Sequence, residues 1–179
     1  MTKEKKQVNG FVMCLIVLTA ICLVISAALA FTNEITAPII EAGAVDRENN
    51  ARSEVLPEAD EFELVELSGA PETIDSVYKS LNDAGYVFTV TVKGYGGDMQ
   101  IMCGIDNEGL ITCCKTMSHS ETAGLGAKTA ESEYKDQYIG CDETLSSVQA
   151  ISGATISSKA YEGAVRDAFT AYNMIKEAA

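Results

Sequence analysis

Residues Phe11 to Phe31, FVMCLIVLTAICLVISAALAF, form an unbroken run of 21 residues without a charge, a glycine or a proline. At helical rise such a run is about 30 Å long, the thickness of a bilayer's hydrocarbon core. Before it stand Lys3, Lys5 and Lys6 against Glu4; after it come ten Lys/Arg against 25 Asp/Glu. Cytoplasmic flanks of membrane helices are the lysine- and arginine-rich ones, so the N-terminus is expected in the cytoplasm and the rest of the chain across the cell (inner) membrane. A cleavable signal peptide has a shorter apolar stretch of roughly 7–15 residues, which makes a retained anchor the expectation. Cys22 follows Ile21 inside the run, which is no lipoprotein signal. The predicted layout starts with a cytoplasmic segment 1–10 and a transmembrane helix 11–31.

Residues 32–60 mix helix formers with acids and are punctuated by Pro38 and Pro57. They read as a juxtamembrane helical stalk, kinked near Pro38, running to about Ser53 and contributing no core. Beyond it the pattern changes to strands. FELVEL (Phe62 to Leu67) alternates apolar and polar residues. VYKSL (Val77 to Leu81) and YVFTVTVKGY (Tyr86 to Tyr95) flank the turn Asn82 to Gly85, and MQIMCGID (Met99 to Asp106) and LITCCKTMSH (Leu110 to His119) flank Asn107-Glu108-Gly109. β-branched and aromatic runs joined by such short loops predict antiparallel hairpins. Ser120 to Asp142 is glycine-punctuated and loop-rich, with a short helix expected near Ala130 to Tyr138. Apolar residues at Tyr161, Ala164/Val165, Ala168/Phe169, Tyr172 and Ile175 then trace a helical stripe. The expected fold class is α+β, an antiparallel sheet with packed helices over 61–179, behind one N-terminal transmembrane helix.

The acid excess of the exported part disfavours nucleic acid and anionic membrane surfaces as partners, because phosphate recognition needs clustered lysines and arginines. Cys14 and Cys22 fall in the apolar run; Cys103, Cys113, Cys114 and Cys141 lie outside it, in spacings that match no zinc or iron–sulfur pattern. No metal site is expected. Four exported cysteines can pair as two disulfides, yet Cys103 and Cys113 sit in apolar strand patterns where small buried residues belong, so packing is the favoured reading.

The segment AISGATISSKAYEGAV (Ala150 to Val165) sets Ser152, Gly153, Ala154 and Thr155 ahead of the helical stripe, expected to start near Ser158. Small residues let a ligand approach the backbone, and Ser157 or Ser158 can cap the helix. The free N–H groups and positive end of that helix favour a phosphate, to which a Thr155 hydroxyl could hydrogen-bond or become esterified. On local chemistry alone a simple cap remains the commoner reading.

SGATISS resembles the S/T-G-A-T-x-T/S motif of the FMN-binding domains in the Rnf and Na+-translocating NADH:quinone reductase complexes. GYGG (Gly94 to Gly97) and HSETAGLG (His119 to Gly126) resemble that family's strand entry and H-x-E-T-x-G-L-G segment, in the same order. Two departures stand out: Gln149 occupies a position where many members carry an acid, and Ala123 one where proline is common. With the anchor the resemblance covers most of the chain, and the shortness of the chain favours the Rnf G subunits over the related C subunits. It implies FMN held covalently by a phosphoester to Thr155, relaying electrons on the outer side of the membrane within an ion-translocating ferredoxin:NAD+ oxidoreductase. It also implies other membrane subunits as partners and a flavin transferase for maturation. No catalytic acid or base is then needed, since the redox chemistry is the flavin's.

Ser152, Gly153 and Ala154 are the expected approach to the cofactor, with Ser157 and Ser158 at its phosphate end. Gly124, Leu125 and Gly126 offer a tight turn and apolar surface to the ring. Glu121 and Thr122 offer polar groups to the ring edge or phosphate, and His119 a flavin contact or a structural network role. The alternatives are a quinone-reductase subunit, a stand-alone extracellular flavoprotein, and an anchored, non-redox binding module in which the Ser/Thr cluster only caps a helix.

Overall fold

The computed structural model describes residues 2–178, in two compact units that divide between Arg47 and Glu48. The first unit is helical. It forms the larger part of α1 (Thr2–Val55), with Pro38 inside the helix. The helix is long and apolar enough to cross a membrane by length and composition. Within the apolar run the large side chains of Leu15, Leu23, Val24 and Phe31 are exposed, an arrangement suited to lipid rather than water.

The second unit opens with the last turns of α1, and here the expectation of a coreless stalk over 32–60 is corrected. Ala51, Val55 and Leu56 are fully buried, packing with Val87 and Met102 on one face of a sheet. Arg52 lies over the Tyr78 ring at 3.7 Å and pairs with Glu48 at 3.0 Å. The compact domain therefore begins some dozen residues before the strand patterns.

Five strands form one antiparallel meander in the order β1-β2-β3-β4-β5: β1 (Phe62–Leu64), β2 (Ile74–Ser80), β3 (Gly85–Lys93), β4 (Asp98–Asp106) and β5 (Ile111–His119). Period-2 alternation sends Tyr86, Phe88 and Val90 of β3 and Ile101, Cys103 and Ile105 of β4 to one face. Val87 and Met102 go to the other, under α1. Asp106 builds the β4–β5 turn: its Oδ1 accepts from the N–H groups of Glu108 and Leu110, both at 2.9 Å, while Gly109 takes φ +81. The register slips beside Gly104, leaving Thr112 as an extra residue whose hydroxyl bonds the Val55 carbonyl at the end of α1. A Cβ at Gly104 would run into that same carbonyl.

The other sheet face is covered by α3 (Thr155–Ala178), which buries Tyr161, Ala164, Val165, Ala168, Phe169, Ala171 and Tyr172 on one stripe. Thr73 Oγ1 donates to Asp167 Oδ2 at 2.7 Å, tying this helix to the approach of β2. The expected short helix is present as α2 (Ser132–Lys135), flanked by 3-10 turns Gly126–Ala130 and Asp136–Tyr138. Tyr134, Tyr138 and Tyr161 meet there with ring centroids 5.2 to 5.7 Å apart. The hydroxyls of Tyr134 and Tyr138 are 2.9 Å apart, and Tyr134 also donates to the Ser158 carbonyl at 3.1 Å. Burial pushes all three phenols up and keeps them neutral, as a hydrophobic cluster requires.

The cysteines divide differently from the sequence expectation. Cys103 and Cys114 are fully buried on the α3 face, whereas Cys113 packs on the α1 face and is only partly buried. The slip at Gly104 shifts the phase of β5, so adjacent cysteines exchange the faces a strict alternation from β4 would give them.

Candidate functional site

A cavity of about 420 Å3 opens where the start of α3 meets the two glycine-rich segments. Three backbone devices shape it. The β3–β4 turn Gly94 to Gly97 packs against Ser120 and Glu121, and a Cβ at Gly94 or Gly96 would overlap the Glu121 carboxylate or the Ser120 carbonyl. The turn from Thr122 closes through Leu125 N–H and Ala127 N–H, each 3.1 Å from the Thr122 carbonyl, with Gly124 at φ +75. Before α3, Gly153 takes φ +82 and Ala154 N–H bonds the Ile151 carbonyl at 3.0 Å. Left-handed backbone at these two glycines is disfavoured for any residue with a Cβ.

Thr155 is the first residue of α3, so the helix starts three residues earlier than the sequence stripe suggests and the Ser/Thr cluster does not cap it. Ala154 precedes the helix and has no side-chain acceptor. Among the described residues no acceptor meets the N–H groups of Thr155, Ile156 and Ser157; the first bonded one is Ser158 N–H, to the Ala154 carbonyl at 2.9 Å. Three unpaired donors at the positive end of a 24-residue helix form an anion seat. Thr155 is exposed beside them, lining the cavity.

The neighbouring hydroxyls are committed elsewhere. Ser157 Oγ, buried, donates to Glu121 Oε2 at 2.7 Å, and Ser158 Oγ accepts from Ile151 N–H at 3.0 Å, closing the loop before the helix. Glu121 does not offer its carboxylate to the cavity as a free group. Its Oε1 accepts from Tyr95 N–H at 2.7 Å and Gly96 N–H at 3.2 Å, so one buried side chain clips the β3–β4 turn to the first turn of α3. A Cβ at Gly126 would strike both Glu121 and Ser157.

Glu121→Ala is therefore expected to cost about 3 kcal/mol, since it strands a hydroxyl and two N–H groups at once, against about 1 kcal/mol for Ser157→Ala. Denaturant melts and amide exchange at Tyr95 and Gly96 read both. Equal losses for the two variants would dissolve the clip.

Among the residues singled out in the sequence, Glu121, Thr122, Leu125, Gly126, Gly153, Ala154, Thr155 and Ser157 line one cavity. Gly124, Ser152 and Ser158 do not line it; Gly124 and Ser158 hold the adjoining turns, and Ser152 is exposed. His119 ends β5 as an exposed residue, its Nδ1 accepting from Glu121 N–H at 3.3 Å, and it does not line the cavity. Tyr95 and Ile156 do; both sit inside the quoted GYGG and SGATISS stretches, but at positions to which the sequence reading assigns no ligand role. Tyr95 is 71% exposed, Ile156 59% and Leu125 49%, which leaves three apolar surfaces around the anion seat.

A cavity of this size, an apolar rim and a bare helix N-terminus fit a planar aromatic ring carrying a phosphate. Tyr95, Leu125 and Ile156 would hold the ring and the amides of Thr155 to Ser157 the phosphate; the group itself would supply one- and two-electron transfer.

Residues 94–170, spanning all these devices, match the FMN-binding domain family. Over nearly its whole length the chain is also similar to components of larger complexes. It is 34% identical to the G subunit of the Na+-translocating ferredoxin:NAD+ oxidoreductase complex of Acetobacterium woodii, over 98% of this chain and 99% of the relative. It is 31% identical to the G subunit of the ion-translocating oxidoreductase complex of Methanosarcina acetivorans, over 92% and 94%. Against the G subunit of the proton-translocating ferredoxin:NAD+ oxidoreductase complex of Clostridium ljungdahlii it is 27% identical, over 94% of each. The chain belongs to this family, the G subunits of Rnf-type ion-translocating oxidoreductase complexes.

Proposed function

We propose that this protein is the membrane-anchored electron-transfer subunit of an ion-translocating ferredoxin:NAD+ oxidoreductase, carrying FMN in phosphoester linkage to Thr155. The observation that carries the reading is the bare N-terminus of α3, with an exposed threonine hydroxyl beside three unpaired N–H groups. In maturation a flavin transferase moves the FMN half of FAD onto Thr155: the Thr155 Oγ–P bond forms, the pyrophosphate P–O bond breaks, AMP leaves and the hydroxyl proton is lost. The amides of Thr155 to Ser157 hold the phosphate in place. Covalent attachment suits a domain on the extracytoplasmic side, where dissociated cofactor would be lost to the surroundings.

Helix 11–31 anchors the chain with its lysine-rich N-terminus, residues 1–10, in the cytoplasm; the C-terminal domain lies on the other side and exchanges electrons with redox centres of neighbouring membrane subunits. The three relatives' names differ in their coupling ion, sodium in one and protons in another, which fits ion translocation being the work of other subunits.

Intact mass of the full chain after mild detergent extraction tests anchor and cofactor together. The expected mass is that of the uncleaved chain plus one FMN moiety, in material that brings integral membrane subunits with it. A chain shortened after the apolar run, or one of unmodified mass from cells that make the transferase, overturns the reading.

A further inference from the structure

Cys103 of β4 and Cys114 of β5 are register partners, directly opposed across the ladder. Both are fully buried beneath α3, and their sulfurs are 3.5 Å apart. Opposed residues of an antiparallel pair have Cα atoms about 4.5–5.5 Å apart, inside the roughly 4.4–6.8 Å that a disulfide spans. The other two cysteines of the domain are turned away from this pair. Cys113 Sγ faces the Cys114 carbonyl at 3.6 Å on the opposite side of the sheet, and Cys141 Sγ lies 3.2 Å from both the Gln137 carbonyl and the Ser147 hydroxyl. Two thiols aimed at each other in an otherwise apolar core are not required for packing, which alanine or valine would serve as well.

We propose that Cys103 and Cys114 form a redox modification site, at which a disulfide-bearing oxidant converts the paired thiols into a disulfide linking β4 to β5. One thiolate attacks a sulfur of the oxidant, breaking its S–S bond and releasing one thiol. The second thiolate attacks the mixed disulfide, forming the Cys103–Cys114 bond and releasing the other thiol. Two protons and two electrons pass from the protein to the oxidant, and no flavin takes part.

Access decides when this happens. The thiol contact from Cys103 and burial together hold the Cys114 thiol well above its ordinary range, and both sulfurs of the pair are closed off from solvent beneath α3 in the folded domain. The bond therefore forms while the β4–β5 hairpin is still open to solvent and, once formed, is shielded by α3. Oxidation in the cell rests on the extracytoplasmic placement proposed above, because disulfides persist in oxidising compartments. The chemistry of the pair does not.

The test is made on the purified full chain, so topology does not enter it. The chain is reduced in detergent with enough urea to open the domain, returned to native conditions in glutathione buffers from reducing to oxidising, and quenched with N-ethylmaleimide. Circular dichroism confirms that the sheet has re-formed. Trypsin followed by cleavage after Glu108 separates the peptide of Cys103 from that of Cys113 and Cys114. The expected result is a linked pair that rises in a single two-electron step, is absent in Cys103→Ala and Cys114→Ala, and persists in Cys113→Ala. Under native conditions dithiothreitol should cleave it on the order of 100-fold more slowly than in urea. Alkylation of both Cys103 and Cys114 at the most oxidising poise, or a linkage that survives in Cys114→Ala, overturns the proposal.

Discussion

Thr155→Ala protein, extracted with detergent and then denatured, is expected to be colourless and to weigh what the bare chain weighs, while the unaltered protein keeps one flavin through the same treatment. The expected loss is complete because no other hydroxyl stands free at the first turn of α3 beside its unpaired N–H groups. Ser157 is buried and bonded to Glu121, Ser158 is buried and accepts from Ile151, and Ser152 stands outside both the helix and the cavity. Thr155→Ser keeps a hydroxyl at the helix start and is expected to retain part of the modification. Thr155 is exposed and its side chain is bonded to no described residue, so the alanine variant should fold with a stability change within about 0.5 kcal/mol. A folded Thr155→Ala chain that still carries covalent flavin would refute the assignment of the attachment site.

Gly104→Val is expected to destabilise the C-terminal domain by about 3 kcal/mol, the upper part of the overpacking range. Valine is a better strand former than glycine, so propensity alone predicts a gain. Sterics oppose it decisively, because the new Cβ would press on the Val55 carbonyl, which is backbone and has no rotamer to move. The Thr112 hydroxyl that caps this carbonyl would lose its partner in the same event. The end of α1 should then lift from the sheet, baring Arg52, which is 9% exposed in the native fold. Circular dichroism during a urea titration measures the first effect, and new tryptic cleavage after Arg52 reports the second. Unchanged stability together with an Arg52 bond still resistant to trypsin would mean that α1 does not depend on this contact.

The meander is legible because each of its signals is local. Asn82 to Gly85 and Asn107 to Gly109 mark two turns between alternating runs, and both hairpins form where those turns place them. The stripe from Tyr161 to Ile175 likewise packs as a helix because its period is contained in its own residues. What stays hidden depends on distant partners. The acidic end of the stalk reads as solvated, but Ala51 and Val55 are buried because Val87 and Met102 of the sheet's second face need cover.

Glu121 offers a second case. In sequence it is a polar residue beside glycines, open to a ligand role; only the approach of Tyr95, Gly96 and Ser157 from other elements turns it into a clip. The phase of the β5 cysteines escapes a reading of alternation because a one-residue slip beside Gly104 leaves no trace in composition. The start of α3 falls earlier than its stripe suggests for a different reason. Serine and threonine favour caps, and nothing local reveals that Ser157 and Ser158 have found bonds elsewhere, leaving Ala154 at the boundary.

That alanine has a consequence for the life history of the molecule. A serine or aspartate before Thr155 would tie down one of the loose N–H groups and stabilise the newly made chain by about 1 kcal/mol. Without it three N–H groups at this corner stay unpaired, and on the proposed attachment a phosphate would both satisfy them and be held by them. Loading and robustness become one thermodynamic event, because whatever binds only the folded form raises its resistance to unfolding. On the proposed attachment, newly made chains that miss the cofactor would be the less stable ones, which proteases could remove without recognising a flavin.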